Sequence, residues 1–109
     1  MAELDDEFAT TVGIDTRLDP TGTQIVILSG ELDSSNAESL QERMVAITAP
    51  HPQPLIFDLT GLRFMDSAGI AVLIGAATQV TSVSVRNPSP IIRRVIETTG
   101  LSSVLPIES

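Results

Sequence analysis

Short β-branched runs alternate with segments of helical periodicity along this chain, and that alternation constrains the fold more than any other feature of the sequence. The runs QIVILSG (24–30), LIFDL (55–59) and SVSV (82–85) are short and apolar, which is typical of buried strands. Residues 10–18 alternate apolar with polar side chains and predict a strand with one solvated face. The DPTG turn at 19–22 predicts that the first two strands form a hairpin.

Three further segments carry helix signals. Residues 36–48 place apolar side chains at helical spacing, and Ser35 followed by Glu38 has the pattern of a capping box. Residues 67–77 are apolar and rich in alanine, which favours a helix buried on most sides. The last helix is expected to begin with a serine cap and a proline in its first turn, and to end at Gly100.

The resulting order, β-β-α-β-α-β-α, predicts an α/β fold. We expect a mixed four-stranded sheet in which right-handed crossovers join the parallel strands and the helices pack mainly on one face. A chain of 109 residues has the size of one domain. The predicted organisation is an acidic N-terminal tail at residues 1–9 and a single domain at residues 10–109.

The composition argues against several classes of function. Six arginines, no lysine and fourteen acidic residues give a net charge of −8, which disfavours direct binding of nucleic acid. Without cysteine the chain has neither disulfides nor thiolate metal sites, and no motif indicates a cofactor or another metal. No apolar run reaches the roughly 18 residues of a membrane span, and no signal peptide is evident. A cytoplasmic protein without membrane contact is expected.

The stretch FMDSAG at residues 64–69 places a carboxylate and a hydroxyl where a long apolar run begins. In the simplest interpretation Asp66 and Ser67 only cap a helix, which is worth about 1 kcal/mol. Ser67 could also accept a phosphate, because the N-terminus of a helix tolerates negative charge. The added charge of about −2 beside Asp66 would change the surface while the fold survives.

Two enzymatic interpretations of this stretch are weaker. A nucleophile elbow has the pattern G-x-S-x-G, and here Met65 replaces the first glycine. A serine nucleophile needs a base, and the single histidine, His51, is expected ~20 Å from Ser67, at the other end of a strand. An aspartic protease carries Asp-Ser/Thr-Gly, whereas DSAG and DLTG each have an extra residue before the glycine. The chain is therefore not expected to be an enzyme.

Three stretches, ILSGELDSSNA (27–37), LIFDLTGL (55–62) and FMDSAG (64–69), share a pattern with one known family. Together they resemble the bacterial anti-sigma factor antagonists, single-domain members of the STAS family, over residues 24–101. The resemblance implies a STAS-type fold and a partner-switching role in the regulation of transcription. The unphosphorylated protein would bind an anti-sigma factor, typically a serine kinase with a histidine-kinase-like ATPase fold, and so release a sigma factor.

The resemblance also implies roles for individual residues. Phosphorylation of Ser67 by the kinase would switch binding off, and a metal-dependent serine phosphatase would restore it. Any ATP would belong to the kinase. Ala68 stands where the family often has a second serine, so no neighbouring hydroxyl could replace that of Ser67. The residues implied to bind the partner are Asp33, Ser34, Ser35, Phe64, Met65, Asp66, Gly69 and Ile70.

One alternative function stays open at this point. The chain could be a constitutive STAS interaction subunit, an adaptor in a signalling or transport assembly, in which Ser67 is only a helix cap. The sequence predicts neither the identity of the partner nor the oligomeric state.

Overall fold

A computed structural model of the chain describes residues 11–49 and 53–108. Within these ranges the elements follow the predicted order, and a short 3₁₀ helix comes after the last α-helix. The strands are β1 (Val12–Leu18), β2 (Gln24–Leu32), β3 (Pro54–Met65) and β4 (Ser82–Arg86). The helices are α1 (Ala37–Thr48), α2 (Ser67–Ala77) and α3 (Pro90–Thr98), followed by the 3₁₀ helix Leu101–Ser103. The predicted acidic tail and His51 lie outside the described residues.

The four strands form one mixed sheet in the order β1-β2-β3-β4. β1 is antiparallel to β2, whereas β2, β3 and β4 are mutually parallel. The β1–β2 hairpin turns at Asp19, whose carboxylate accepts hydrogen bonds from the N–H groups of Thr21 at 2.9 Å and Thr23 at 3.0 Å. Gly22 has a φ of 87° in this turn, a conformation that favours glycine. The predicted α/β fold with a mixed four-stranded sheet is confirmed.

The helices cover one face of the sheet, and the hydrophobic core lies between the two layers. Alternate residues of the strands point into this core because side chains along a strand alternate between the two faces. The strand residues in the core include Val26, Leu28, Leu55, Phe57 and Val85. The helical residues include Leu40, Met44, Leu73, Ile92 and Ile96. The prediction that the helices pack mainly on one face is confirmed.

Strand β3 is longer than the sequence predicted, because it continues through two bulges to Met65. Between the pairs Ile27–Asp58 and Ser29–Gly61, β3 has one residue more than β2. The same happens between the pairs Gly30–Leu62 and Glu31–Phe64. The buried positions of β3 therefore change from every second residue to every third, ending with Leu62 and Met65. This change of period is what turns the penultimate residue of the strand, Phe64, towards solvent.

The starts of the helices only partly follow the sequence prediction. α3 is capped as predicted, since the Ser89 hydroxyl accepts from the N–H of Ile92 at 3.3 Å, and Gly100 beyond it has a φ of 76°. The capping box at the start of α1 is wrong, because Asn36 rather than Ser35 is the N-cap residue. None of the helices in the described ranges has the length and apolarity needed to cross a membrane.

Candidate functional site

The start of α2 is built on the ends of the two central strands. The N–H of Asp66 donates to the carbonyl of Leu32 at 3.2 Å, which joins the end of β3 to the end of β2. The backbone of Asp66 is extended, and its carboxylate accepts from the N–H groups of Ala68 at 2.9 Å and Gly69 at 3.2 Å. Asp66 is therefore the N-cap, and its charge also complements the positive end of the helix.

Ser67 is the first residue of α2, and it is exposed. Its hydroxyl has no hydrogen-bond partner within the described ranges, because Asp66 satisfies the nearby N–H groups of the first turn. The described part of the fold thus makes no use of this hydroxyl. A phosphate on Ser67 would lie at the surface and would replace no buried contact of the described residues.

Gly69 allows α2 to pack closely on the strand ends. A Cβ atom on Gly69 would lie 2.7 Å from Cγ of Leu32 and 2.8 Å from Cγ of Met65. Both of these side chains are buried, so neither has room to move. The close approach that this glycine permits is therefore one within the domain.

The structure brings together the side chains predicted for the site but divides them into two layers. Phe64 is 46% exposed, Ser34, Ser35 and Ser67 are exposed, and Asp33 and Asp66 are partly exposed. Three residues predicted to bind the partner are buried in the domain, and their role at an interface stays a prediction: Met65, Gly69 and Ile70. These three support the surface from below.

The loop between β2 and α1 is held by a network that the sequence prediction missed. The carboxylate of Asp33 accepts from both the N–H of Ser35 at 2.9 Å and its hydroxyl at 2.6 Å. The buried amide of Asn36 accepts from the N–H of Asp33 at 3.0 Å and donates to the carbonyl of Glu31 at 2.8 Å. Asn36 thus orders the loop that carries Asp33, and its only signal in the sequence was a polar residue at the head of a helix.

The surface around Ser67 combines an apolar side chain with a negative rim. Phe64 pairs with Glu31 across the bulged strands. The guanidinium group of the neighbouring Arg63 lies 3.8 Å from the Glu31 carboxylate, and both of these side chains are exposed. On the other side an open groove of about 680 Å³ separates α1 from α2. Its lining includes Ser34 and Ala68, the neighbours in sequence of Asp33 and Ser67. We call the exposed residues Phe64, Ser67 and Ser34, together with the partly exposed Asp33 and Asp66, the switch surface.

Comparison with known proteins places these features in a family context. The family model of the STAS domain matches residues 17–109. The anti-sigma F factor antagonist of Lysinibacillus sphaericus is 34% identical over 84 residues, which are 72% of this chain and 72% of the relative. A crystal structure of an anti-sigma factor antagonist from Mycobacterium paratuberculosis matches with a TM-score of 0.79 at 29% identity, covering 89% of this chain and 85% of that chain.

A further solved structure is the Bacillus cell fate determinant SpoIIAA in its phosphorylated form. It aligns with a TM-score of 0.66 at 22% identity, covering 89% of this chain and 92% of that chain. At this level of identity the likeness concerns the fold alone. It shows that a protein with this fold exists in a phosphorylated state.

Proposed function

This chain belongs to the STAS domain family, and we propose that within it the chain is an anti-sigma factor antagonist whose binding is switched off by phosphorylation of Ser67. One observation carries the proposal. Ser67 is exposed at the first position of α2, and its hydroxyl takes no part in the fold within the described ranges. Modification there changes the surface and leaves the core unchanged.

In the unphosphorylated state the switch surface offers a partner one apolar anchor and a polar rim. Phe64 is the only aromatic side chain among the described residues that is exposed, and aromatic anchors commonly contribute most of the binding free energy at an interface. Asp33 and Asp66 add negative charge beside it. Such a rim favours a partner with basic side chains at the facing positions.

Phosphorylation would disrupt this surface because the phosphate is bulky and because removing its water at an interface is costly. The phosphate adds about −1.5 to −2 charges next to Asp66, which already accepts the N–H groups of Ala68 and Gly69. The modified side chain would then stand out from the helix start. A hydrated dianion in that position would keep the partner from closing over Phe64, three residues earlier in the chain.

The enzymes of the cycle would be supplied by the partners. We propose that the anti-sigma factor is a serine kinase with a histidine-kinase-like ATPase fold, which contributes the ATP, and that a metal-dependent serine phosphatase reverses the modification. The chain itself would be a non-enzymatic regulator of transcription that acts in the cytoplasm.

The first experiment is affinity capture from host lysate with three baits: the natural chain, Ser67→Glu and Ser102→Glu. Ser102 is exposed in the 3₁₀ helix and provides a matched control for the added charge. We expect the natural chain and the control to retain a protein with the ATPase fold, and Ser67→Glu to lose it. Retention of that protein by all three baits would contradict the switch and favour the constitutive adaptor.

The second experiment tests the modification itself. The purified anti-sigma factor is incubated with the chain, ATP and Mg²⁺, and the phosphate is located by mass spectrometry. We expect a single phosphate on Ser67 and none on Ser67→Ala. A phosphate on another serine, or none on the natural chain, would contradict Ser67 as the acceptor.

A further inference from the structure

The two edges of the sheet differ in how they are protected. Beyond β4, residues 105–108 run along the edge, where Val85 donates to the carbonyl of Pro106 at 2.7 Å and accepts from the N–H of Glu108 at 2.8 Å. The side chains of Arg86 and Glu108 form an ion pair at 2.8 Å over the same stretch. On the other side, β1 is the outermost strand within the described ranges. An open edge strand is a template for pairing with another chain.

The hydrogen-bond phase of the β1–β2 ladder shows which groups of β1 face outwards. Two bonds just beyond the ends of the ladder join odd-numbered residues that flank β1 to the chain of β2: the N–H of Asp19 donates to the carbonyl of Thr23 at 3.0 Å, and the N–H of Glu31 donates to the carbonyl of Thr11 at 2.9 Å. The register has no bulge between them, so the odd-numbered residues of β1 bond to β2 in the same way. In an antiparallel ladder alternate residues bond to the partner strand. The N–H and C=O groups that face away from β2 are therefore those of Val12, Ile14, Thr16 and Leu18.

The side chains of β1 are complementary to those of a second β1 that runs antiparallel to it. With Thr16 on a two-fold axis, Asp15 lies opposite Arg17 of the second copy, and the relation is repeated on the other side of the axis. Ile14 lies opposite Leu18 of the second copy, and Leu18 is 63% exposed in the single chain. We propose that β1 pairs with β1 of a second copy in this register, joining two four-stranded sheets into one of eight strands.

Charge selects this register from its neighbours. Moving the axis to Asp15 would place the two Asp15 carboxylates opposite each other, and moving it to Arg17 would do the same for the two guanidinium groups. Like charges directly opposite destabilise a strand pair, whereas opposite charges stabilise it. With the axis at Thr16, the outward N–H and C=O groups of Ile14, Thr16 and Leu18 all find partners. The two ion pairs then occupy non-hydrogen-bonded positions, where side chains are closest.

Local interactions in the single chain compete with this pairing. The carboxylate of Asp15 accepts from the outward N–H of Thr16 at 2.9 Å, and Arg17 lies close enough to Asp58 to lower the pKa of that carboxyl group. The hydrogen bond of Asp15 must break, and Arg17 must turn away from Asp58, for the dimer to form. The contact is also one strand wide, so the dimer is weak and forms at high concentration.

The proposed dimer leaves the switch surface open. Ser67 follows the end of β3, which is two strands away from β1, or about 10 Å at the usual strand spacing. Each dimer would therefore present two switch surfaces. This arrangement is independent of whether Ser67 is phosphorylated.

The test is sedimentation equilibrium of the full chain up to about 1 mM, with the variants Asp15→Arg and Arg17→Asp alone and mixed in equal amounts. We expect the natural chain to self-associate and each variant alone to associate about tenfold more weakly, because both pairs formed by residues 15 and 17 then carry like charges. The mixture restores association, because the two variants present opposite charges to each other. Arg94→Asp, an exposed position on α3, is the matched control and leaves association unchanged.

Three results would overturn the proposal: a natural chain that is monomeric over the whole range, a mixture that associates no better than its components, or a control that weakens association as much as Arg17→Asp does. A second variant guards against a folding defect. Thr16→Pro removes an outward N–H that the β1–β2 ladder does not use, so the fold is kept while association is lost. A folded Thr16→Pro variant that still self-associates like the natural chain would also contradict the proposed pairing.

Discussion

The carboxylate of Asp66 accepts a hydrogen bond from the N–H of Ala68 at 2.9 Å, and the hydroxyl of the intervening Ser67 makes no such contact within the described chain. The two neighbouring residues thus have separate tasks. Asp66 holds the start of α2 in place, and Ser67 presents an exposed hydroxyl at the first position of the helix. This separation is the structural condition for a switch that leaves the domain folded.

The first prediction follows from this separation of tasks. Asp66→Ala removes the cap and should lower the free energy of unfolding by about 1 kcal/mol, whereas Ser67→Ala should change it by less than about 0.5 kcal/mol. Urea unfolding of both variants measures the two values. An equal loss for Ser67→Ala would mean that Ser67 is part of the cap and would weaken its assignment as a dedicated phosphorylation site.

The second prediction compares two glycines of the same helix. Gly69→Ala should destabilise the domain by about 1–3 kcal/mol, because the new methyl group meets the buried side chains of Leu32 and Met65. Gly75→Ala should be neutral or stabilise it by up to about 1 kcal/mol, since no atom outside the neighbouring turns of the helix lies within 4 Å of its Cβ position and alanine favours the helix. Thermal unfolding of the pair checks both signs. A stabilised Gly69→Ala variant would show that α2 can move away from the strand ends.

Local patterns predicted α2 with its observed bounds, Ser67–Ala77, because an alanine-rich apolar run and an acidic cap are properties of neighbouring residues. The end of β3 could not be predicted in the same way. The strand was expected to stop at residue 59, but it continues to Met65 because its bulges are set by pairing with β2. The same long-range pairing buries Met65 and exposes Phe64. The sequence alone does not distinguish these two neighbouring apolar residues.

The loop before α1 shows a second limit of local patterns. Ser35 and Glu38 fit the spacing of a capping box, in which the Glu38 carboxylate would accept from the N–H of Ser35. In the structure that N–H donates to the carboxylate of Asp33 at 2.9 Å, two residues earlier in the chain. The role of Asn36 depends on the carbonyl of Glu31, five residues earlier, and therefore on how the end of β2 is placed.

The third prediction concerns Asp58 on β3. Burial alone would raise the pKa of its carboxyl group, but hydrogen bonds from the hydroxyl of Thr60 at 2.6 Å and its N–H at 3.0 Å, with the charges of Arg86 and Arg17, hold the pKa below 3.8. A carboxyl group whose pKa is lower in the folded state than in the unfolded chain stabilises the fold at pH values above its pKa in the unfolded chain. That contribution is lost as the pH falls from about 3.8 through the folded value.

The measurement for Asp58 is a pH titration by NMR of the natural chain and Thr60→Val. Removing the hydroxyl should raise the pKa of Asp58 towards 3.8, because one of the bonds that favour the charged form is lost. Arg93→Ala is the control, since Arg93 pairs with Glu97 on α3 and is not among the groups that act on Asp58. An unchanged or lower pKa in Thr60→Val would contradict this account.

The fourth prediction places the binding free energy of the switch surface on Phe64. Phe64 is 46% exposed, so Phe64→Ala should cost the fold less than about 1 kcal/mol while weakening binding to the anti-sigma factor by tenfold or more, roughly 1.4 kcal/mol. Ile91→Ala is the matched control, because Ile91 is 68% exposed on α3 and equally apolar. Calorimetric titration with the captured partner and urea unfolding separate the two effects. If Ile91→Ala weakens binding and Phe64→Ala does not, the partner docks on α3, and a phosphate on Ser67 would then have to act from a distance.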